Sequence, residues 1–177
     1  MSGGQPAGIS AKALSLPTSL HFISPAEPRP LGAYAGLATV YAGLFGGGLA
    51  AAVRNGRELP RSVSAGDIVL YGVATHRLSR LVSREKVARF VRAPFTVVEE
   101  EIDCPPAELE EHPRYDGGMR GAIGELLTCT MCLDQWVAGG LVVGHVWAPR
   151  TTRLVASVLA IKGVANGMHL AYARVLD

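Results

Sequence analysis

Cys129-Thr130-Met131-Cys132 is the one stretch of this chain whose residue types and spacing match a known kind of chemistry. Two thiols three positions apart can share a helical face or a helix N-terminus. There a depressed pKa supports thiol–disulfide exchange, or both sulfurs ligate a metal. A zinc set would need Cys104 and His112 to join Cys129 and Cys132; the types suit zinc, but the spacing follows no standard pattern. A redox role usually brings a thioredoxin-like α/β context. Free cysteine is also readily buried, so packing thiols are the favoured one of three readings. Zinc is the only cofactor in view, and the expectation is none.

The charges form a second constellation. From Arg61 to Val98, seven basic residues (Arg61, Arg77, Arg80, Arg84, Lys86, Arg89, Arg92) stand against Asp67 and Glu85. From Glu99 to Asp116, eight acids stand against Arg114. Adjacent blocks of opposite sign pair with each other or meet a charged surface. Arg77, Arg80, Arg84, Lys86, Arg89 and Arg92 are therefore either a grip on anionic lipid headgroups or one half of a set of ion pairs. Beside apolar segments, lipid is the expected partner rather than nucleic acid. His145, Lys162, Asn166 and His169 form a third group, set within apolar sequence. Ionisable groups at membrane depth are costly and often functional. Interhelical hydrogen bonds and a snorkelling lysine account for them more simply than a polar track. No Gly-rich phosphate loop, Ser-His-Asp order or HExxH is present.

The elements that must position these groups are mostly apolar. Hydrophobic residues make up 49% of 177 and charged residues 18%, below the usual quarter. Leu31 to Val53 runs 23 residues without a charge. At about 1.5 Å per helical residue it can cross the roughly 30 Å apolar layer of a bilayer. Residues 1–30, rich in Pro, Ser and Ala, read as a flexible tail. Asp67 is a candidate N-cap for a helix whose apolar first half is followed by His76, Arg80 and Arg84 on one face. That helix should lie partly inserted with its basic end at the headgroups, and continue past Val87 and Phe90 until Pro94. The acidic Pro-rich loop 99–120 should contain no packed sheet, with at most a short helix over 106–111. One helix is expected from Ile123 to Trp147 and a last one from Thr151 to Leu176. Pro149-Arg150 would join them as an antiparallel hairpin.

Gly32 with Gly36, Gly43 with Gly47, Gly140 with Gly144 and Gly163 with Gly167 stand four apart. Small-xxx-small spacing lets helices approach closely in lipid. Strand-type alternation is weak, so the fold should be all-α: a membrane-embedded helical bundle. Its units should be a tail (1–30), a candidate transmembrane helix (31–53) and a helical membrane domain (54–177).

From about Asp67 onward the chain resembles an uncharacterised family of small bacterial multi-helix membrane proteins that includes a sporulation-associated member. The resemblance rests on Thr75-His76-Arg77-Leu78-Ser79-Arg80-Leu81, on Arg92-Ala93-Pro94-Phe95, and on Gly124-Glu125-Leu126-Leu127-Thr128-Cys129-Thr130-Met131-Cys132-Leu133 with Trp136. It covers about two thirds of the chain and leaves out 31–53. The family's usual Cys-Pro-x-Cys has lost its proline here, which counts against a redox role. The resemblance implies a membrane location and supplies no reaction.

The reading is a non-enzymatic, multi-pass protein of the bacterial cell membrane. It would act as an anchor or assembly subunit for a protein partner or for further copies of itself. The basic excess near the spans predicts that residues 54–122 lie in the cytoplasm. Two alternatives stand beside it: a membrane-face thiol or metal protein built on Cys129 and Cys132, and a Gly/Ala-rich helical subunit of a soluble assembly.

Overall fold

The computed structural model describes residues 30–98, 108–114 and 118–176. Its elements are α1 (Leu31–Arg54), α2 (Ala65–Arg84), a single 3-10 turn (Lys86–Ala88), α3 (Arg89–Arg92), β1 (Thr96–Val98), β2 (Glu111–Pro113), α4 (Gly118–Thr128), α5 (Thr130–Trp147) and α6 (Pro149–Leu176). The protein is an all-α bundle with one two-stranded antiparallel ribbon, in which Val97 faces His112.

The centre of the bundle is α2, which packs against both α5 and α6. Its small buried core holds Tyr71, Ala74, Leu141 and Ala156. The helix starts at Ser64 rather than Asp67. The Ser64 hydroxyl accepts the Asp67 N–H at 3.1 Å and donates to its carboxylate at 2.8 Å. A serine followed three residues on by an acid satisfies an orphan amide from outside the helix, which an acid inside the first turn cannot do for itself. At its other end α2 stops at Arg84, nine residues short of Pro94, because Glu85 is extended (φ −76°, ψ 143°) and makes a backbone bridge to Glu108.

Two further expectations are corrected. The span from Ile123 to Trp147 is two helices that meet at 86°. Thr128 bends its hydroxyl back to the Gly124 carbonyl at 3.0 Å, and Cys129 is extended, which ends one helix and caps the next. The acidic loop contributes a strand: residues 111–113 pair with β1, and 108–111 are not helical. The remainder of the predicted 106–111 helix lies outside the described residues.

Hydrogen bonds and close contacts fix the direction of each helix. Along α5, Tyr71 of α2 meets His145 at 2.6 Å, and Ser83 meets Thr130 at 2.9 Å. So α2 runs antiparallel to α5, and the two contacts stand about 20 Å apart along the helices at the usual rise. The α1 helix runs parallel to α5: Tyr34 donates to Glu125, Gln135 donates to Tyr41 at 2.7 Å, and the Trp147 indole donates to the Gly48 carbonyl at 3.1 Å. Only Ala148 joins α5 to α6, where proline at the first position leaves no orphan N–H. Near that joint Asp67 pairs with Arg153 at 3.3 Å. One end of the bundle therefore carries residues 55–64 and the α5–α6 joint. The other carries residues 85–98, 108–114 and α4. Residues 55–64 and 85–98 thus lie at opposite ends of the bundle, with α2 running between them.

The glycines sort by contact. Gly36 lies under Met119, Gly144 under Thr152, and Gly163 under Val73 and Arg77. Gly32, Gly43, Gly47, Gly140 and Gly167 have open space where a Cβ would stand. The closest helix–helix approaches fall at the predicted Gly144, where a Cβ would lie 2.9 Å from Thr152, and at two further glycines, Gly48, 2.9 Å from Val143, and Gly139, 2.8 Å from Tyr41. Gly43→Ala or Gly47→Ala is expected to stabilise α1 by about 0.5–1 kcal/mol, since alanine loses less backbone entropy. Gly48→Ala should lower the thermal midpoint by displacing Val143. Thermal unfolding in detergent micelles checks both, and equal effects at Gly47 and Gly48 would refute the packing.

Candidate functional site

The bundle closes at one end with a layer of arginines and carboxylates. Arg92 lies at its heart. Its side chain is 0% exposed and pairs at 2.9 Å with Glu111, itself 1% exposed. Its other terminal nitrogen donates to the carbonyls of Val82 and of Glu85, the latter at 3.1 Å. These are last-turn and cap carbonyls of α2, which have no partner within the helix. The Thr96 hydroxyl sits between the Arg92 carbonyl and the second oxygen of Glu111. One arginine thus ends α2, aligns β1 with β2 and fixes the ribbon against the bundle.

Around it, Arg77 is 4% exposed and pairs with Glu85, while its Nε and Nη1 have no hydrogen-bond partner among the described residues. Arg80 holds Glu108 through Nε at 3.0 Å and Nη2 at 2.7 Å. Arg84 lies 3.6 Å from Glu110. The last two pairs are solvated and contribute little to stability. The buried Arg92–Glu111 pair is different in kind, because either partner alone would be a desolvated charge. Lys86 and Arg89 are exposed, on the 3-10 turn and α3. Arg77, Arg80, Arg84 and Arg92 are thus engaged by carboxylates. An open cavity of about 340 Å³ lies beside Arg80, Arg84, Glu108 and Thr130.

The cysteine pair sits at the bend between α4 and α5. Cys129 is the N-cap of α5, and its sulfur accepts the Cys132 N–H at 3.3 Å. Cys132 is exposed and Cys129 half-buried, both as free thiols. His112 lies on β2, and Cys104 lies outside the described residues. Among the described residues, no three His, Cys, Asp or Glu side chains converge to hold a metal.

The polar groups on the last two helices do not form one track. His145 meets Tyr71. Lys162 and His169 are exposed on α6, Asn166 is half-buried, and among the described residues none of the three makes a hydrogen bond or ion pair. The long-range partnerships Tyr71–His145, Tyr34–Glu125, Ser83–Thr130 and Arg92–Glu111 escaped sequence reasoning. They join residues far apart in the chain, and only the charge complementarity of the basic and acidic blocks hinted at any of them.

The geometry defines a class: an all-helical bundle with an ionic cap at one end and two helices, α1 and α6, long and apolar enough to cross a membrane. Within that class, the chain belongs to the family described as protein of unknown function (DUF1360), whose pattern matches residues 70–172. The match spans α2 to α6 and leaves out α1. A Bacillus subtilis (strain 168) protein named sporulation protein YjcA is 34% identical over 100 residues, which cover 56% of this chain and 84% of that one. No solved structure matches.

Proposed function

We propose that this chain is a non-enzymatic integral membrane protein, an anchor or assembly subunit, with the ionic end of the bundle in the cytoplasm. The observation that carries the reading is the outward direction of the apolar side chains. Within the apolar windows of α1 and α6 only 6% of residues are buried. Leu44 is 66% exposed and Ile161 69% exposed. In water such a surface would favour aggregation; in a bilayer it faces lipid. The bent pair α4–α5 adds a third apolar element. The apolar half of α2 is carried between α5 and α6, with its arginines at one end.

The residues that carry the family resemblance supply the rest of the support. Arg77, Arg80 and Arg92 are spent on ion pairs that hold the bundle's end together. That is a structural use, and it favours a scaffold that presents a surface to a partner over a reaction centre. Sporulation is the process named for the relative, and a membrane assembly role in such a process is compatible with this architecture.

Orientation follows from basic residues flanking the spans. Among the described residues, Arg80, Arg84, Lys86, Arg89, Arg114, Arg120 and Arg174 belong to the ionic end or to the helix end that leads from it. Arg54, Arg57, Arg61, Arg150 and Arg153 belong to the opposite end. The more basic end is retained in the cytoplasm. A compartment reporter inserted near residue 100 should therefore read cytoplasmic and one near residue 60 extracytoplasmic. Both reporters on one side would overturn the topology. Release of the protein from membranes by alkaline carbonate would overturn the integral reading itself.

A further inference from the structure

We propose that Cys129 and Cys132 are a reactive dithiol that exchanges reversibly with low-molecular-weight disulfides, Cys129 attacking and Cys132 resolving. This goes beyond the membrane-subunit reading and does not depend on it.

Three observations carry it. First, the bend places Cys129 outside the helix and Cys132 inside its first turn. With φ −92° and ψ 103°, Cys129 turns its sulfur back over the start of α5, where it already lies 3.3 Å from the Cys132 amide. The two cysteine side chains already contact each other, so the sulfurs need only settle into ordinary disulfide geometry to bond. Second, the position is electrostatically asymmetric. Cys129 caps an 18-residue helix, so negative charge on its sulfur meets the helix N-terminal dipole and an N–H donor. Cys132 lies within the first turn, against the Cys129 side chain and its own backbone N–H. Third, the site is accessible. Cys132 is exposed, Met131 beside it is 85% exposed, and Cys129 is half-buried rather than sealed in the core.

The lost proline also has a structural counterpart. Thr130 occupies its place and joins its hydroxyl to that of Ser83 at 2.9 Å. Proline would fix the first helical residue by its ring. Threonine fixes it by a tether to α2, which links the cysteine turn to the arginine-bearing helix.

The chemistry balances without a cofactor. The Cys129 thiolate attacks one sulfur of a small disulfide and expels one thiolate, leaving a mixed disulfide on Cys129. Cys132 gives up its proton and attacks the Cys129 sulfur, which expels the second thiolate. The protein loses two hydrogens and two electrons in all, and the small disulfide becomes two thiols. In a reducing compartment such a bond is transient, as befits a sensing or exchanging pair rather than a structural one.

The test uses the full chain in detergent micelles with oxidised glutathione, followed by alkylation and peptide mass mapping. The wild-type chain is expected to yield a Cys129–Cys132 disulfide that dithiothreitol reverses. Cys132→Ser should accumulate a glutathione adduct on Cys129. Cys129→Ser should form its adduct on Cys132 roughly tenfold more slowly, as expected for a thiol within the first turn rather than at the N-cap. The wild-type result alone decides the proposal if a variant misfolds. Both thiols remaining free to alkylate, or a disulfide that joins either one to Cys104 instead, would overturn it.

Discussion

Arg92→Ala is expected to cost about 3–5 kcal/mol, the range for removing one member of a buried ion pair. The cost arises less from a lost attraction than from what remains. Glu111, 1% exposed on its side chain, would be left with a desolvated carboxylate and only the Thr96 hydroxyl as partner. The last-turn carbonyl of Val82 would lose the guanidinium donor as well, while that of Glu85 would keep only the Ala88 N–H. The double change Arg92→Met/Glu111→Leu separates these contributions. It removes both charges and keeps apolar volume, so it should recover a large part of the loss. Denaturant unfolding in micelles followed by circular dichroism gives both numbers. An Arg92→Ala protein as stable as the parent would mean that this pair does not hold the end of the bundle.

Gly124→Ala should be nearly as damaging for a steric reason. A Cβ at that position would stand 2.6 Å from the Phe95 carbonyl oxygen and 3.2 Å from Pro113. Pro113 belongs to β2 and Phe95 leads directly into β1, and the Phe95 contact is a backbone atom. The backbone must therefore move, because no flexible side chain can swing aside. Overpacking of this kind costs about 1–3 kcal/mol. It should also disturb the α4 seat against β2. Gly140→Ala is the matched control, since nothing lies within 4 Å of that position. It should leave the thermal midpoint unchanged or raise it slightly through helix propensity. A Gly124→Ala protein that melts with the control would show that α4 does not pack on the ribbon this closely.

Local signals made much of the bundle legible. The charge-free run 31–53 became α1, one residue longer, because uninterrupted apolar sequence of that length has few other outcomes. The last helix ends at Leu176 as expected but starts two residues before Thr151, because Pro149, read as part of the joint, takes the first helical position itself. The four-residue glycine spacing was a weaker guide. It identifies which glycines share a face but not which face meets a neighbour, and here Gly48 and Gly139 take contacts that Gly47 and Gly140 do not. The bend at Cys129 was hidden for a related reason. Thr128, Cys129 and Thr130 break no apolar pattern, and the break comes from hydrogen bonds made by Thr128 and by the Cys129 sulfur.

The candidate sites divide in the same way. Composition and spacing alone determined that basic and acidic blocks follow one another, that two cysteines stand one turn apart, and that the chain is rich enough in apolar helix to enter a bilayer. Each of these depends on neighbours in sequence. Only the tertiary structure decided that Arg92 chooses Glu111, that Arg77 is buried against Glu85, and that α2 runs between α5 and α6 so that residues 55–64 and 85–98 lie at opposite ends. Those outcomes depend on desolvation and on the crossing of helices far apart in the chain. A charged residue's sequence neighbours do not reveal whether it is buried, and burial is what separates the Arg92–Glu111 pair from the solvated Arg80–Glu108 and Arg84–Glu110 pairs.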